Sequence, residues 1–222
     1  MVPVIWYCYD AYCGWCYGFR PVIKKLYLQY KNSIVFDVLS GGMIISDDPP
    51  PVSLIAGFIL REYKTVEQTT GERFGEDYLW HIKNPDLSDW RPDSLKAAIS
   101  LCVFKKYFPQ KAIEWASDLQ YALNFEGRDL TDDEAYRHLV AKYNLPGEKF
   151  YGQLHSEEFK SLAQYDFQLV KQLKVTGYPC VLMQVSESRF YLVARGYTPY
   201  ETLEANVLKV LAENNISPQD AD

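Results

Sequence analysis

Cys13 and Cys16, separated by two residues, follow directly on an apolar run, Val2-Pro3-Val4-Ile5-Trp6-Tyr7-Cys8-Tyr9, that reads as a buried strand. A strand, a tight turn at Asp10-Ala11-Tyr12, and a Cys-x-x-Cys pair opening a helix make a redox-site layout. Thiol chemistry runs through the thiolate. A helix N-terminus favours the thiolate because its first amide N–H groups are unpaired and its dipole end is positive.

The pattern continues with helix-like spacing from Gly18 to Tyr30, where Phe19, Val22, Ile23, Leu26 and Tyr27 are apolar and Pro21 sits early. Ser33 to Leu39 is a second β-type run, ended by Gly41-Gly42, and Asp47-Asp48-Pro49-Pro50-Pro51 then breaks the chain. From about residue 52 to 157 the β signal nearly disappears. The spacing predicts helices over 53–66, 72–83, 93–107, 109–126 and 131–144, with Pro146-Gly147 closing the last. A helix near 157–173 leads to the runs 178–185 and 189–195, a predicted hairpin across Ser186-Glu187-Ser188. Pro199 then opens a terminal helix with Leu203, Val207, Leu208 and Leu211 on one face. The polar tail from Asn214 to Asp222 should fray.

With the helical block removed, the order is βαβ followed by ββα, an α/β arrangement. That order, with Asp10-Ala11-Tyr12-Cys13-Gly14-Trp15-Cys16-Tyr17-Gly18, Gly41-Gly42-Met43 and Val175-Thr176-Gly177-Tyr178-Pro179, resembles the DsbA-like family of thiol-disulfide oxidoreductases. Within it, the chain is most similar to the FrnE-type and protein-disulfide isomerase branch. The resemblance implies a thioredoxin fold with a large all-helical insertion. Residues 1–50 and 158–222 would form a discontinuous thioredoxin-like domain and 51–157 the insertion.

The resemblance also implies that Pro179 is a cis-proline opposite the cysteine pair, and that Tyr178 before it offers backbone hydrogen bonds to an extended substrate, with Gly14 and Trp15 on the other side. Cys13, at the exposed start of the helix, would be the nucleophile and Cys16 the resolving thiol. Cys13 attacks a substrate disulfide to give a mixed disulfide, and Cys16 displaces the reduced substrate, leaving Cys13–Cys16 oxidised; oxidation of substrate reverses these steps. No cofactor beyond that disulfide is implied, and the partners would be protein or peptide thiols and disulfides, with glutathione a further candidate. Couples in such proteins span about −270 mV for thioredoxin to about −120 mV for DsbA. Gly14-Trp15 lacks the histidine that stabilises the DsbA thiolate, so a reductase or isomerase is expected rather than a strong oxidant.

Two departures from the family pattern stand out. Tyr7 occupies the place of a buried carboxylate that assists proton transfer in thioredoxin and DsbA. Asp10 is the nearest acid, with two candidate roles: proton transfer, or holding the turn and capping the helix. Cys180 follows the presumed cis-proline where many relatives have Thr. Cys8 and Cys180 could both approach the pair as auxiliary thiols, or serve as small buried hydrophobes, the role that also suits Cys102.

Composition excludes much else. Lys and Arg number 23 against 29 Asp and Glu, a net charge of −6, which gives no electrostatic reason for a nucleic-acid partner. No apolar run reaches the roughly 18 residues of a membrane span, and no basic, apolar leader is visible, so a cytoplasmic location is expected. Cys8, Cys13 and Cys16 share the spacing of plant-type iron–sulfur ligands, but the next cysteine is far away at Cys102 and the intervening residues are bulky. No second Cys/His pair has zinc-finger spacing, so no metal is expected; His81, His138 and His155 are scattered. Aromatic residues at helical spacing, among them Tyr63, Tyr78, Phe104, Tyr107, Phe108 and Tyr121, should be core, with some lining a cleft beside the active pair. Two rival readings remain: a kappa-class glutathione transferase or 2-hydroxychromene-2-carboxylate isomerase, which typically uses a lone Ser or Cys, and a redox-inert peptide-binding module. Oligomeric state has no signal here.

Overall fold

Strand β1 (Val4–Tyr9) sets the architecture, because its side chains alternate between two buried layers. A computed structural model describes residues 2–217; the end of the polar tail, 218–222, lies outside the described residues. β1 pairs in parallel with β2 (Val35–Ser40) and antiparallel with β3 (Cys180–Ser186), which pairs antiparallel with β4 (Arg189–Arg195). The four-stranded sheet runs β2-β1-β3-β4. Ile5, Tyr7 and Tyr9 join Val181 and Met183 in the main core, whereas Cys8, Leu39, Cys180 and Leu182 pack on the other side.

The main core is covered by α1 (Gly14–Tyr30), whose Phe19, Ile23 and Leu26 are buried, and by α9 (Tyr200–Glu213) through Leu203, Val207 and Leu211. The opposite side is closed by α8 (Glu157–Gln172), where Val170 is buried against Cys8 and Cys180. Ser156 caps α8 by accepting from Phe159 N, and Glu157 and Glu158 occupy its first turn.

Between β2 and α8 come α2 (Ser53–Thr70), α3 (Glu76–Lys83), α4 (Ser94–Tyr107), α5 (Ala112–Asn124), α6 (Arg137–Lys142) and α7 (Gly147–Leu154). Their buried side chains belong to the same continuous core as α1 and β1. Trp115 Nε1 of α5 donates to Ser100 Oγ of α4 at 3.2 Å, and Lys105 Nζ of α4 meets Asp37 of β2 at 2.7 Å. The arrangement is the expected βαβ followed by ββα, with the helical insertion between β2 and α8.

Boundaries differ from the sequence reading where backbone chemistry overrides spacing. α1 begins at Gly14, within the Cys-x-x-Cys pair expected to open it and ahead of the apolar spacing that starts at Gly18, because Cys13 itself supplies the cap. The 131–144 segment divides into a 3₁₀ turn at Asp133–Tyr136 and α6, with Asp132 capping the turn by accepting from Glu134 N at 3.1 Å. Pro146-Gly147, expected only to close a helix, also opens α7: proline's missing N–H is one the first helical turn leaves unpaired anyway.

Candidate active site

Cys13 is the N-cap of α1. Its backbone is extended (φ −82°, ψ 109°), its N–H bonds Asp10 O at 3.1 Å, and its Sγ accepts from Cys16 N at 3.3 Å. A capping sulfur therefore sits where the first helical amides converge. Contrary to the exposed position expected from sequence, Cys13 is only 7% exposed. It lines a cleft and is walled by the segment before β3: the Cys13 thiol donates to Tyr178 O at 3.6 Å. The Tyr178–Pro179 peptide bond is cis.

Cys16, one turn further on, is fully buried, and burial pushes its thiol well above the ordinary range, with Cys13 adding to the effect. Tyr7 lies against it. Burial likewise raises the Tyr7 phenol, and its oxygen makes no hydrogen bond of ordinary geometry among the described residues. The two thiols thus differ: one faces a cleft at a helix N-terminus, the other faces the core.

Asp10 is buried, and its carboxylate accepts hydrogen bonds from Tyr12 N at 3.0 Å, Met43 N at 2.7 Å and Ser94 Oγ at 2.9 Å. Burial raises its pKa against the pull of those donors. Its place is structural: it ties the active-site turn to the Gly42-Met43 loop and to the start of α4. Ser94, which sequence reasoning read only as a helix start, completes this knot by also donating from its amide to Ile44 O at 2.8 Å.

The Gly41-Gly42 pair explains how the far wall fits. Tyr178 Oη donates to Gly41 O at 3.1 Å, and a Cβ on Gly41 would stand 2.1 Å from Tyr178 Cζ. Gly42 adopts φ +63°, a left-handed backbone that glycine accepts without strain.

Cys8 and Cys180 are directly opposite each other across β1 and β3, on the sheet side away from Cys13 and Cys16. The structure does not bring Cys180 to the redox pair. Alternation along β3 turns Cys180 the other way from Val181, and it lines a separate hollow with Lys174 and Arg195. Burial pushes Cys180 up to about 11, opposed by Arg195.

The cleft at Cys13 has a volume of about 500 Å3. Gly14, Trp15, Tyr178 and Met43 of the Gly41-Gly42-Met43 motif line it beside Cys13, together with residues that sequence reasoning did not single out: Phe74 and a stripe of α2, Ile55, Phe58, Ile59 and Glu62. Tyr63 and Tyr78, grouped in the sequence with core aromatics, also face it. The available signal was the helical spacing of apolar residues on α2, whose Leu54 and Phe58 are exposed. Among the described residues no group of His, Cys, Asp and Glu is placed to hold a metal ion, and no helix is long and apolar enough to cross a membrane.

Residues 4–207 match the model of the DSBA-like thioredoxin domain. No curated protein matches the sequence. Among solved structures, the chain is similar to a proposed protein disulfide isomerase from Nitrosomonas europaea, at 24% identity and a TM-score of 0.81, covering 96% of this chain and 99% of that one. It is also similar to the cytosolic disulfide reductase DsbM from Pseudomonas aeruginosa, at 20% identity and a TM-score of 0.76, covering 96% and 99%. A structure of that reductase with GSH aligns at 19% identity and a TM-score of 0.72, covering 95% and 99%. At these identities the likeness is one of fold.

Proposed function

Because the chain belongs to the DSBA-like thioredoxin domain family, we propose that it exchanges disulfides with protein or peptide substrates through Cys13 and Cys16, as a reductase or isomerase rather than a strong oxidant. The observation that carries this reading is the capping geometry: Cys13 Sγ receives Cys16 N–H at the helix start while facing the cleft beside Tyr178-Pro179. In the reductive direction, the Cys13 thiolate attacks a substrate disulfide, one sulfur leaves as a thiolate and takes a proton, and a mixed disulfide remains. The Cys16 thiolate then attacks Cys13 Sγ, releasing the second substrate thiol and closing Cys13–Cys16. An external thiol must reduce that disulfide for turnover.

Gly14-Trp15 places no cationic side chain between the cysteines to hold the reduced form, which supports a couple below that of DsbA. The similarity in fold to a cytosolic disulfide reductase points the same way. Insulin reduction with dithiothreitol as donor tests the reading. Wild type should accelerate it and Cys13→Ser should abolish the acceleration, while Cys16→Ser should stall as a mixed disulfide. A rate independent of Cys13 would reject it, and a reduction potential near −120 mV would reject the reductase assignment.

A further inference from the structure

Helix α2 faces the redox pair with Ile55, Phe58, Ile59, Glu62, Tyr63 and Val66, which recur at i, i+3, i+4, i+7, i+8 and i+11. Every position of this stripe is apolar or aromatic except Glu62. Glu62 is half-buried and its carboxylate bonds to no other described residue, although Lys and Arg side chains lie nearby in sequence at Arg61 and Lys64. Among the described residues lining the cleft, Glu62 is the one ionisable group apart from Cys13 and the tyrosines. Arg195 reaches the rim by donating to Thr176 Oγ1 at 2.7 Å, but its side chain lines the separate hollow with Lys174 and Cys180.

An unpaired carboxylate within an apolar stripe favours a ligand able to bring an apolar group and a positive charge together. Resting on the oxidoreductase reading, we infer that Glu62 is a specificity-determining residue. It selects polypeptide disulfides in which a large apolar side chain lies next to a lysine or arginine, and it disfavours glutathione. Glutathione brings two carboxylates and one ammonium, with no bulky apolar group for the surface of Ile55, Phe58 and Phe74. The apolar side chain would fill that surface while its basic neighbour meets Glu62, so attraction and repulsion both contribute to selection.

The test uses the reduced, full-length protein and three disulfides: glutathione disulfide and two synthetic cyclic peptides in which the cystine is flanked by Phe and then by either Lys or Glu. Single-turnover rates of mixed-disulfide formation at low salt are measured for wild type, Glu62→Gln and Glu62→Lys, with circular dichroism confirming that each variant is folded. Wild type should prefer the Lys peptide over the Glu peptide by about tenfold, an order of magnitude suited to charge pairing at a half-exposed site, and the preference should shrink with added salt. Glu62→Gln should remove the preference; Glu62→Lys should reverse it and speed reaction with glutathione disulfide. Equal wild-type rates for the two peptides, or an unchanged preference in Glu62→Gln, would overturn the inference and leave the redox reading standing. No exchange with any of the three would overturn both.

Discussion

The phenol of Tyr178 stands on Gly41: its hydroxyl donates to the Gly41 carbonyl at 3.1 Å, and the space a side chain would need there is already filled by the ring. The wall opposite Cys13 is thereby located by the end of β2. Gly41→Ala should displace that ring, cost about 2–4 kcal/mol of stability and slow mixed-disulfide formation at Cys13. Tyr178→Phe removes only the hydrogen bond and should cost about 1 kcal/mol. Chemical denaturation of the two variants, and of Gly41→Ala/Tyr178→Ala, checks this: the double variant should recover part of the Gly41→Ala loss.

Asp10 offers a second test. Asp10→Ala strands the Tyr12 and Met43 amides and the Ser94 hydroxyl, and should destabilise by about 2–4 kcal/mol. Asp10→Asn should also lose stability, since its amide nitrogen would face one of these donors. Denaturant titration measures both, with peptide-disulfide exchange reporting the loosening of the Met43 side of the cleft.

Burial of Cys16 makes its attack on the mixed disulfide depend on pH. With its thiol pushed well up, the thiolate fraction rises about tenfold per pH unit below that value. Release of a reduced peptide from Cys13 should therefore be about a hundredfold faster at pH 8 than at pH 6 in rapid-quench experiments. A flat profile would contradict the buried position of Cys16.

Asp166 gives a stability prediction with a definite sign. Burial raises its carboxyl from 3.8 to about 6. The folded state thus binds the proton more tightly than the unfolded state, and this contribution is full below pH 3.8 and lost as pH rises through 6. Stability from this group should fall by up to about 3 kcal/mol over that window. Asp166→Asn should flatten the dependence and stabilise the protein at pH 7 by about 1–2 kcal/mol, measured by urea unfolding at several pH values.

Cys180→Ala should leave exchange at Cys13 within about twofold of wild type, because Cys180 lies across the sheet from the pair. Loss of a buried sulfur should lower stability by about 1 kcal/mol. Parallel kinetic and unfolding measurements separate the two effects.

Much of this was legible in sequence because it follows from periodicity and punctuation. The apolar run into Cys13, the Gly41-Gly42 stop and the proline before Cys180 mark where β1 and β2 end and β3 begins, while the order of the strands in the sheet comes from pairings between distant segments. What stayed hidden depends on contacts between distant segments. Asp10 meeting Ser94 spans 84 positions, and no local pattern announces it. Glu62 has no signal of its own in the helical spacing of 53–66; only the packing of α2 turns its stripe toward Cys13. Sequence leaves two roles open to Cys180, auxiliary thiol or small buried hydrophobe, because proximity to Pro179 says nothing about side-chain direction; alternation along β3 turns it to the second.

That alternation also governs which disulfides this chain can make with itself. Strand β1 stands between Cys16 and the Cys8–Cys180 pair, its backbone hydrogen-bonded to neighbours on both sides. A sulfur on one side has no path to the other without opening the sheet. On the exchange reading proposed above, cycling of Cys13 and Cys16 is thereby insulated from a cross-link to Cys8 or Cys180.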